Sequence, residues 1–157
     1  MISNDYLVGL TDGEGCFYIN IRPKDKRFKN SKPSVETHFY LKMKESELPL
    51  LEGVKKSFGC GAIYLQKDRR PNHVNCFRFE INSQKDIYGV LIPFFDKHPL
   101  KSTKKKDYQI FRQIALMIRN KDHQKNSGLK KIFQLKSRMN LGARPVREIR
   151  SPGGNAK

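Results

Sequence analysis

The sequence has few of the residues that build disulfide scaffolds or zinc sites. It contains only three cysteines, Cys16, Cys60 and Cys76, and no two of them form a Cys-x-x-Cys pair. An odd number of cysteines without paired spacing argues against a disulfide framework and against a zinc ribbon. We therefore expect the protein to work in a reducing compartment and not to be secreted.

Long apolar runs and tryptophan are also missing. No run of apolar residues approaches the ~18 needed to cross a bilayer, and the region before Tyr6 carries Asp5 and no cationic stretch, unlike a signal peptide. No basic amphipathic helix is flanked by tryptophan, as a membrane-surface role would favour. These absences predict a soluble protein without a membrane partner.

Acidic residues are scarce. The 157 residues include 32 Lys and Arg but 15 Asp and Glu, which gives a net charge of +17 spread along the whole chain. A chain of this length fits one domain. Such an excess predicts a polyanionic partner, with nucleic acid favoured because each neutralised phosphate releases condensed counterions. A ribosomal or chaperone-like protein would carry the same charge, so composition does not identify an enzyme.

The hydrophobic periodicity alternates between helical and strand-like segments. Ser3 can cap a short helix with Tyr6, Leu7 and Leu10 at helical spacing, and Gly59 can end a later one. The pattern predicts strands at 17–22, 35–44, 63–66 and 77–81, and helices at 46–58, 85–95, 107–120 and 129–139. We expect an α+β fold (αββαββα) in which helices cover one face of a four-stranded antiparallel sheet. One domain would span 1–141, followed by a basic, disordered tail at 142–157.

The other face of this sheet would be polar. We place on it, with the Arg-rich turn between the last two strands, Tyr18, Asn20, Arg22, Lys24, Glu36, His38, Tyr40, Lys42, Tyr64, Gln66, Arg69, Arg70, Arg78 and Glu80. An ordinary solvated sheet face would give the same pattern. With +17 on the chain, we favour a surface that reads base edges, because a two-stranded ribbon fits the major groove of double-stranded DNA.

The segment LVGLTDGEG, residues 7–15, combines small residues on an apolar helix with two acids at the helix end and an alternating strand directly afterwards. It resembles the LAGLIDADG motif of homing endonucleases and intron maturases. The resemblance extends over residues 4–140 and includes PLKSTKKKDY at 99–108, which is similar to the family's basic loop before its long third helix. It implies a DNA-binding saddle built from the sheet.

The resemblance also implies a dimer. Gly9 and Gly13 would let two motif helices pack closely, in an interface that includes Leu7, Gly9, Leu10 and Gly13. Nothing after residue 95 resembles a second motif, and Pro93 is expected to break the helix of the only candidate. We therefore expect a homodimer with a pseudo-palindromic target of ~20 base pairs.

The family's chemistry would be metal-assisted phosphodiester hydrolysis. The resemblance implies that Glu14 and the carbonyl of Gly13 bind Mg²⁺, with Mn²⁺ able to substitute and Ca²⁺ supporting binding without cleavage. If Glu14 stood alone, an incidental charge at a helix end would be the simpler interpretation. Lys104 best matches the family's basic active-site residue and Lys101 is second, although either could be a phosphate-binding lysine. Asp12 would serve as a capping or orienting residue.

One departure from the family pattern concerns its glutamine at the end of the second strand. Met43 occupies that position, and a thioether cannot organise water as an amide does. Either Lys42 or Lys44 supplies the group, or water is organised differently, or cleavage is weakened. The alternatives are therefore a maturase that binds intron RNA and a DNA-binding protein without cleavage. Family habit places such proteins in a chloroplast, a mitochondrion or a microbial cytoplasm.

Other nuclease motifs are incomplete. Residues 61–64 match half of a GIY-YIG motif without its partner half, and no acid is followed by x-Lys as the PD-ExK class requires. His73 lies in a polar turn, and the remaining histidines have no metal-ligand spacing. These segments favour no second catalytic class.

Overall fold

The computed structural model describes residues 1–140, so the tail predicted at 142–157 lies outside the described residues. The first half of the chain contains α1 (Asn4–Glu14), β1 (Gly15–Arg22), β2 (Ser34–Lys44), α2 (Leu48–Phe58), β3 (Ala62–Gln66) and β4 (Cys76–Ile81). The second half contains α3 (Gln84–Asp86), a π-helical segment (Ile87–Leu91), α4 (Ile92–Lys97), α5 (Lys104–Arg119) and α6 (Asn126–Ser137). Short 3-10 turns precede α2 and α6.

The strands form one antiparallel sheet in the order β1-β2-β4-β3. Gly15 lies opposite Leu41, which lies opposite Phe79, which lies opposite Ile63, so one row of residues crosses all four strands. The predicted α+β fold with a four-stranded antiparallel sheet is confirmed. Its strands follow from the period-two alternation of apolar and polar residues.

The core lies between one face of the sheet and the helices. Phe17, Phe39 and Phe79 are fully buried on the sheet, and Phe95 and Phe111 come from the helices. The Phe17 ring centroid lies 5.1 Å from that of Phe39, 5.6 Å from that of Phe95 and 5.2 Å from that of Phe111. The phenylalanine rings of the core therefore pack together on this side of the sheet, and at the opposite face the end of α6 reaches Tyr18, whose ring lies 5.4 Å from the Lys136 ammonium.

The first helix passes into the first strand without a linker. The Ser3 hydroxyl caps α1 by accepting the N–H of Tyr6, and the N–H of Gly15 closes its other end on the carbonyl of Thr11. A Cβ at position 15 would lie 2.6 Å from Thr11 Cγ2 and 2.8 Å from its carbonyl oxygen. A glycine is needed here because only its backbone can approach Thr11 this closely, and Glu14 is thereby held at the edge of the sheet.

The prediction that Pro93 breaks its helix is wrong. The chain stays helical from Gln84 to Lys97, with a π-helical segment at Ile87–Leu91 and Pro93 in the first turn of α4. Proline lacks an N–H and its ring crowds the preceding turn, and both problems are relieved when the preceding turn is widened. The following helix also begins earlier than the predicted residue 107, at Lys104. No helix among the described residues is long and apolar enough to cross a membrane.

Candidate active site and nucleic-acid interface

Glu14 is the last residue of α1 and is exposed, as is Gly13 before it. Within residues 1–140, no side-chain hydrogen bond or ion pair engages the Glu14 carboxylate. The last carbonyls of a helix have no partner inside the helix and carry partial negative charge, which disfavours an acid at this end. Carboxylate and carbonyl oxygens together therefore favour an added cation.

Asp12 lies two residues before Glu14 and, unlike Glu14, is fully engaged in hydrogen bonds within the protein. Its carboxylate accepts hydrogen bonds from the backbone N–H of Lys101 at 3.0 Å, from the N–H of Ser102 at 3.0 Å and from the Ser102 hydroxyl at 2.6 Å. Burial raises the pKa of Asp12, but these hydrogen bonds and the charge of Lys104 outweigh it and hold the pKa below its usual value. Asp12 thus fastens the loop before α5 to the end of α1.

This loop positions Lys104 at the end of α1. The Lys104 ammonium donates to the carbonyl oxygen of Gly15, one residue after Glu14, and its backbone N–H donates to the Ser102 hydroxyl at 3.2 Å. Lys101 is exposed and contacts Asp12 only through its backbone. Of the two candidate lysines, Lys104 is the one whose ammonium reaches the residue that follows Glu14.

The donor chemistry of this end of α1 fits a hard divalent cation. Glu14 offers a carboxylate and Gly13 a backbone carbonyl, the oxygen ligands that Mg²⁺ and Ca²⁺ prefer. Within the described part of the chain, no group of three His, Cys, Asp or Glu residues could hold a metal. The oxygen donors of one copy are therefore a partial set that a second copy could complete.

One side of α1 offers a surface for such a copy. A Cβ built on Gly9 or on Gly13 meets nothing within 4 Å, both glycines are exposed, and Leu10 is half-buried beside them. Leu7, also predicted for the interface, is 2% exposed because it packs in the protein's own core. Tyr6, which is 50% exposed, lies one turn before Leu10 instead. The sequence analysis counted it only as part of the helix pattern.

The polar face of the sheet gathers most of the predicted DNA-binding side chains around one groove. Its walls are formed by Tyr18, Asn20, Arg22, Glu36, His38, Tyr64, Gln66, Arg78 and Glu80. Tyr40 lies half-buried beneath Arg78. Lys42 of β2 pairs with Arg78 and is exposed. Lys24, Arg69 and Arg70 are exposed in the two hairpin loops that extend the face.

Charges on this face are linked across the strands. Glu36 accepts the Asn20 amide at 3.1 Å and pairs with Arg22 at 3.5 Å, while His38 lies between Glu36 at 3.5 Å and Glu80 at 2.5 Å. The hydrogen bond from Asn20, opposed by burial and helped by Arg22, lowers the pKa of Glu36. The acids of the face are therefore engaged by cations and donors and do not form a free negative patch.

The two hairpin loops share a motif that the sequence analysis missed. In each, an aspartate accepts the backbone N–H and the guanidinium of an arginine two residues later, as Asp25 with Arg27 and Asp68 with Arg70. The hydrogen bonds from the arginine lower the pKa of both aspartates. The repeated Asp-x-Arg spacing was the available signal. Arg70 is thus tied within its loop, whereas Arg69 has no such partner among the described residues.

Met43 lies on the helix-facing side of β2. It sits opposite Phe77 and packs, half-buried, against the core. Because Gly15 pairs with Leu41, the following residues of β2 continue past the start of β1 towards the end of α1. Lys42 and Lys44 are both exposed there. That one of them replaces the family's glutamine stays a prediction.

Sequence comparisons relate the chain to known proteins. The family model described as LAGLIDADG endonuclease matches residues 7–115. "Probable intron-encoded endonuclease 2" of Neurospora crassa is 30% identical over 133 residues, which are 85% of this chain and 26% of the relative. "Probable intron-encoded endonuclease Cox1-I1b" of Schizosaccharomyces pombe is 28% identical over 130 residues, 81% of this chain and 31% of the relative. The chain thus spans about a quarter to a third of these curated relatives.

The chain also resembles solved structures of homing endonucleases. The homing endonuclease I-TnaI superposes with a TM-score of 0.76 at 31% identity, covering 90% of each chain. I-SmaMI bound to uncleaved DNA target in the presence of calcium ions gives 0.76 at 30% identity, covering 89% of this chain and 45% of that one. The I-LtrWI LAGLIDADG homing endonuclease bound to target DNA gives 0.76 at 31%, covering 89% and 45%.

Proposed function

The chain belongs to the LAGLIDADG endonuclease family, and we propose that it is a site-specific homing endonuclease. It would make a double-strand break in a long, pseudo-palindromic DNA target by Mg²⁺-dependent hydrolysis. One observation carries this proposal: an exposed acid, Glu14, ends the motif helix beside the Lys104 ammonium at the edge of a polar sheet face. This arrangement supports an active site at the end of α1, where the chain continues into the first strand of the sheet.

The proposed enzyme is a homodimer formed through α1. The exposed Gly9 and Gly13 allow a second helix to approach the backbone closely, and a two-fold axis there brings the two Glu14 side chains together. The match to about half of I-SmaMI and I-LtrWI, but to nearly all of I-TnaI, supports a paired arrangement of such domains. A two-fold protein requires a target with matching symmetry.

The proposed chemistry uses the side chains in separate roles. A Mg²⁺ ion bound there would lower the pKa of water and stabilise the leaving oxygen. Glu14 from each copy and the Gly13 carbonyl would hold the cation, with Mn²⁺ as a substitute and Ca²⁺ supporting binding without cleavage. The Lys104 ammonium would stabilise negative charge on the scissile phosphate. Asp12 would keep Lys104 in place through the loop that it fastens.

The polar face would dock in the major groove, with the Lys and Arg side chains of the loops on flanking phosphates. Two sheets side by side could follow ~20 base pairs at about 3.4 Å each. The curated relatives are named as intron-encoded. We therefore propose that an intron also encodes this chain and that the protein works where that intron lies, in an organelle or in a microbial cytoplasm.

A second candidate function rests on Met43. Its side chain packs against the core and offers no strong hydrogen-bonding group near the end of α1. Weakened cleavage would leave a nucleic-acid-binding saddle, either on intron RNA as a maturase or on DNA alone. Cleavage of a DNA target distinguishes the nuclease from these two, and a preference for folded intron RNA distinguishes the maturase from the DNA-binding protein.

The test is cleavage of a randomised double-stranded DNA library by the purified protein, with Mg²⁺ in one arm and Ca²⁺ in the other, followed by sequencing of cut ends. The proposal expects one pseudo-palindromic family of cut sites with Mg²⁺ and binding without cutting with Ca²⁺. Tight binding of DNA or of folded intron RNA with no cutting in either arm would contradict the nuclease assignment.

A further inference from the structure

Arg78 occupies the centre of the polar face. It lies on β4 between Lys42 of β2 and Tyr64 of β3, in the row next to the one that begins at Gly15. Its guanidinium carbon lies 3.7 Å from the centre of the Tyr40 ring, and its Nε atom lies 2.8 Å from a carboxylate oxygen of Glu80. The side chain is 24% exposed although it ends on an open groove. The guanidinium is thus held by a ring below and an acid beside it.

Glu80 is in turn fixed by its neighbours. One carboxylate oxygen faces His38 at 2.5 Å and the other faces Arg78, and the side chain is only 10% exposed. Turning this carboxylate towards a base would break both contacts and leave a charge with little solvation. Glu80, which the sequence analysis placed among base-contacting residues, is therefore better suited to position Arg78.

The contact with Glu80 decides which atoms of Arg78 remain free. The Nε atom is buried and lies 2.8 Å from a Glu80 carboxylate oxygen as an ion pair, without the geometry of a hydrogen bond. Among residues 1–140, Arg78 has no ion pair other than this one at Nε and no side-chain hydrogen bond, so its two terminal nitrogens are unpaired on a residue that lines the groove. Two parallel N–H groups match the O6 and N7 acceptors of guanine in the major groove. Holding the fork in advance lowers the entropy lost when it binds.

The other arginines of the face are held differently. Arg22 contacts Glu36 through a terminal nitrogen at 3.5 Å and is 67% exposed, so its fork is both occupied and mobile. Arg70 gives Nε and one terminal nitrogen to Asp68. Arg78 alone among these three combines a stacked guanidinium, a buried Nε and a free fork.

We propose that Arg78 reads one guanine in each half-site of the target, and that Glu80 and Tyr40 are positioning residues for this contact. The proposal rests on the proposed function, because it presumes a specific double-stranded DNA target. It adds a defined base preference to a surface otherwise known only as polar. A bidentate contact of this kind discriminates against the other bases by about five- to 150-fold.

The test is the library selection above, run in Ca²⁺ for binding and in Mg²⁺ for cleavage, on the wild type and on Arg78→Ala and Arg78→Lys. Wild type is expected to require guanine at one symmetry-related pair of positions. Arg78→Ala should lose that preference while other positions keep theirs, and Arg78→Lys should weaken it and retain more affinity, because an ammonium keeps the charge and can still donate to guanine. Thermal melting of each variant checks that it folds.

Three further variants separate positioning from packing. Glu80→Gln and Tyr40→Ala should weaken the same guanine preference and no other, and Tyr40→Phe, which keeps the ring, should restore it. Arg112→Gln is the matched control because Arg112 pairs with Asp96 on the helical side, at 3.0 Å and away from the groove. It should leave every base preference unchanged.

The outcomes are distinguishable. A guanine preference that persists in folded Arg78→Ala would overturn the inference while leaving the endonuclease intact. A wild type that selects sequences without such a guanine would overturn it as well. A wild type that selects no DNA sequence at all would overturn the proposed function together with it.

Discussion

Replacing Asp12 by alanine should loosen the loop before α5 without touching the acid proposed to bind metal. The substitution removes the acceptor of three hydrogen bonds, from two backbone N–H groups and from the Ser102 hydroxyl. At the lower end of the range for partly exposed groups they contribute about 0.5–1 kcal/mol each. About 0.5 kcal/mol returns because an acid near a helix carboxyl end is unfavourable. The net loss is about 1–2.5 kcal/mol.

A loss of this size lowers the melting temperature by about 2–10 °C for a domain of this length. We also expect slower cleavage with little change in DNA affinity, because Lys104 depends on the same loop while Glu14 is intact. The assays are thermal unfolding and cleavage of the selected target. Asp5→Ala is the matched control, because Asp5 is an exposed acid in the first turn of the same helix.

The stability effect should depend on pH in a definite direction. The pKa of Asp12 is depressed in the folded protein, so its contribution is present above the unfolded value of about 3.9 and is lost as the pH falls through the folded value. The destabilisation should therefore shrink below about pH 4. A double-mutant cycle with Ser102→Ala should show a coupling of about 0.5–2 kcal/mol. The reasoning would be refuted if Asp12→Ala had the same melting temperature as the wild type, or if the double-mutant cycle showed no coupling to Ser102.

Three further substitutions test separate parts of the account. Gly9→Leu should abolish the dimer in sedimentation. The isolated protomer should keep its stability or gain slightly, because an added Cβ meets nothing in its own chain and leucine favours helix. An unchanged dimer would place the interface elsewhere. Gly15→Ala should cost about 1–3 kcal/mol in denaturant unfolding, because its Cβ would overlap Thr11; a neutral result would contradict the tight helix-to-strand turn. Lys104→Met should slow single-turnover cleavage by on the order of 10²-fold with DNA binding in Ca²⁺ largely kept, whereas Lys101→Met should have a smaller effect; the reverse order would assign the active-site role to Lys101.

Local pattern was enough to predict the strands and the polar face. The alternation at Phe17, Ile19 and Ile21, and again through β2, places the same side of each strand towards the core, and the structure keeps that arrangement. The motif placed Glu14 at a helix end because Gly15 follows it directly. These features depend on residues close together in the chain, where spacing alone carries the information.

Apart from the Asp-x-Arg pairs of the two hairpin loops, the features that were missed depend on contacts between distant segments. Asp12 meets a loop 90 residues later, and Arg78 meets Tyr40 because β2 pairs with β4, a crossover that no hairpin pattern predicts. Leu7 faces the protein's own core because the helix is rotated by its packing against the sheet. The π-helical turn before Pro93 was also missed, because the sequence rule for proline considers only a regular α-helix.

Glu14→Gln is the most direct test of the central claim that the end of α1 is a metal-dependent hydrolytic centre. The variant keeps the shape of the side chain but removes the charge that would bind the cation. With the target selected by the wild type, the account predicts that Glu14→Gln loses cleavage in Mg²⁺ and in Mn²⁺ while it still binds that target as a dimer in gel-shift and sedimentation assays. Wild-type cleavage by Glu14→Gln would contradict the account, because the reaction would then not need this carboxylate.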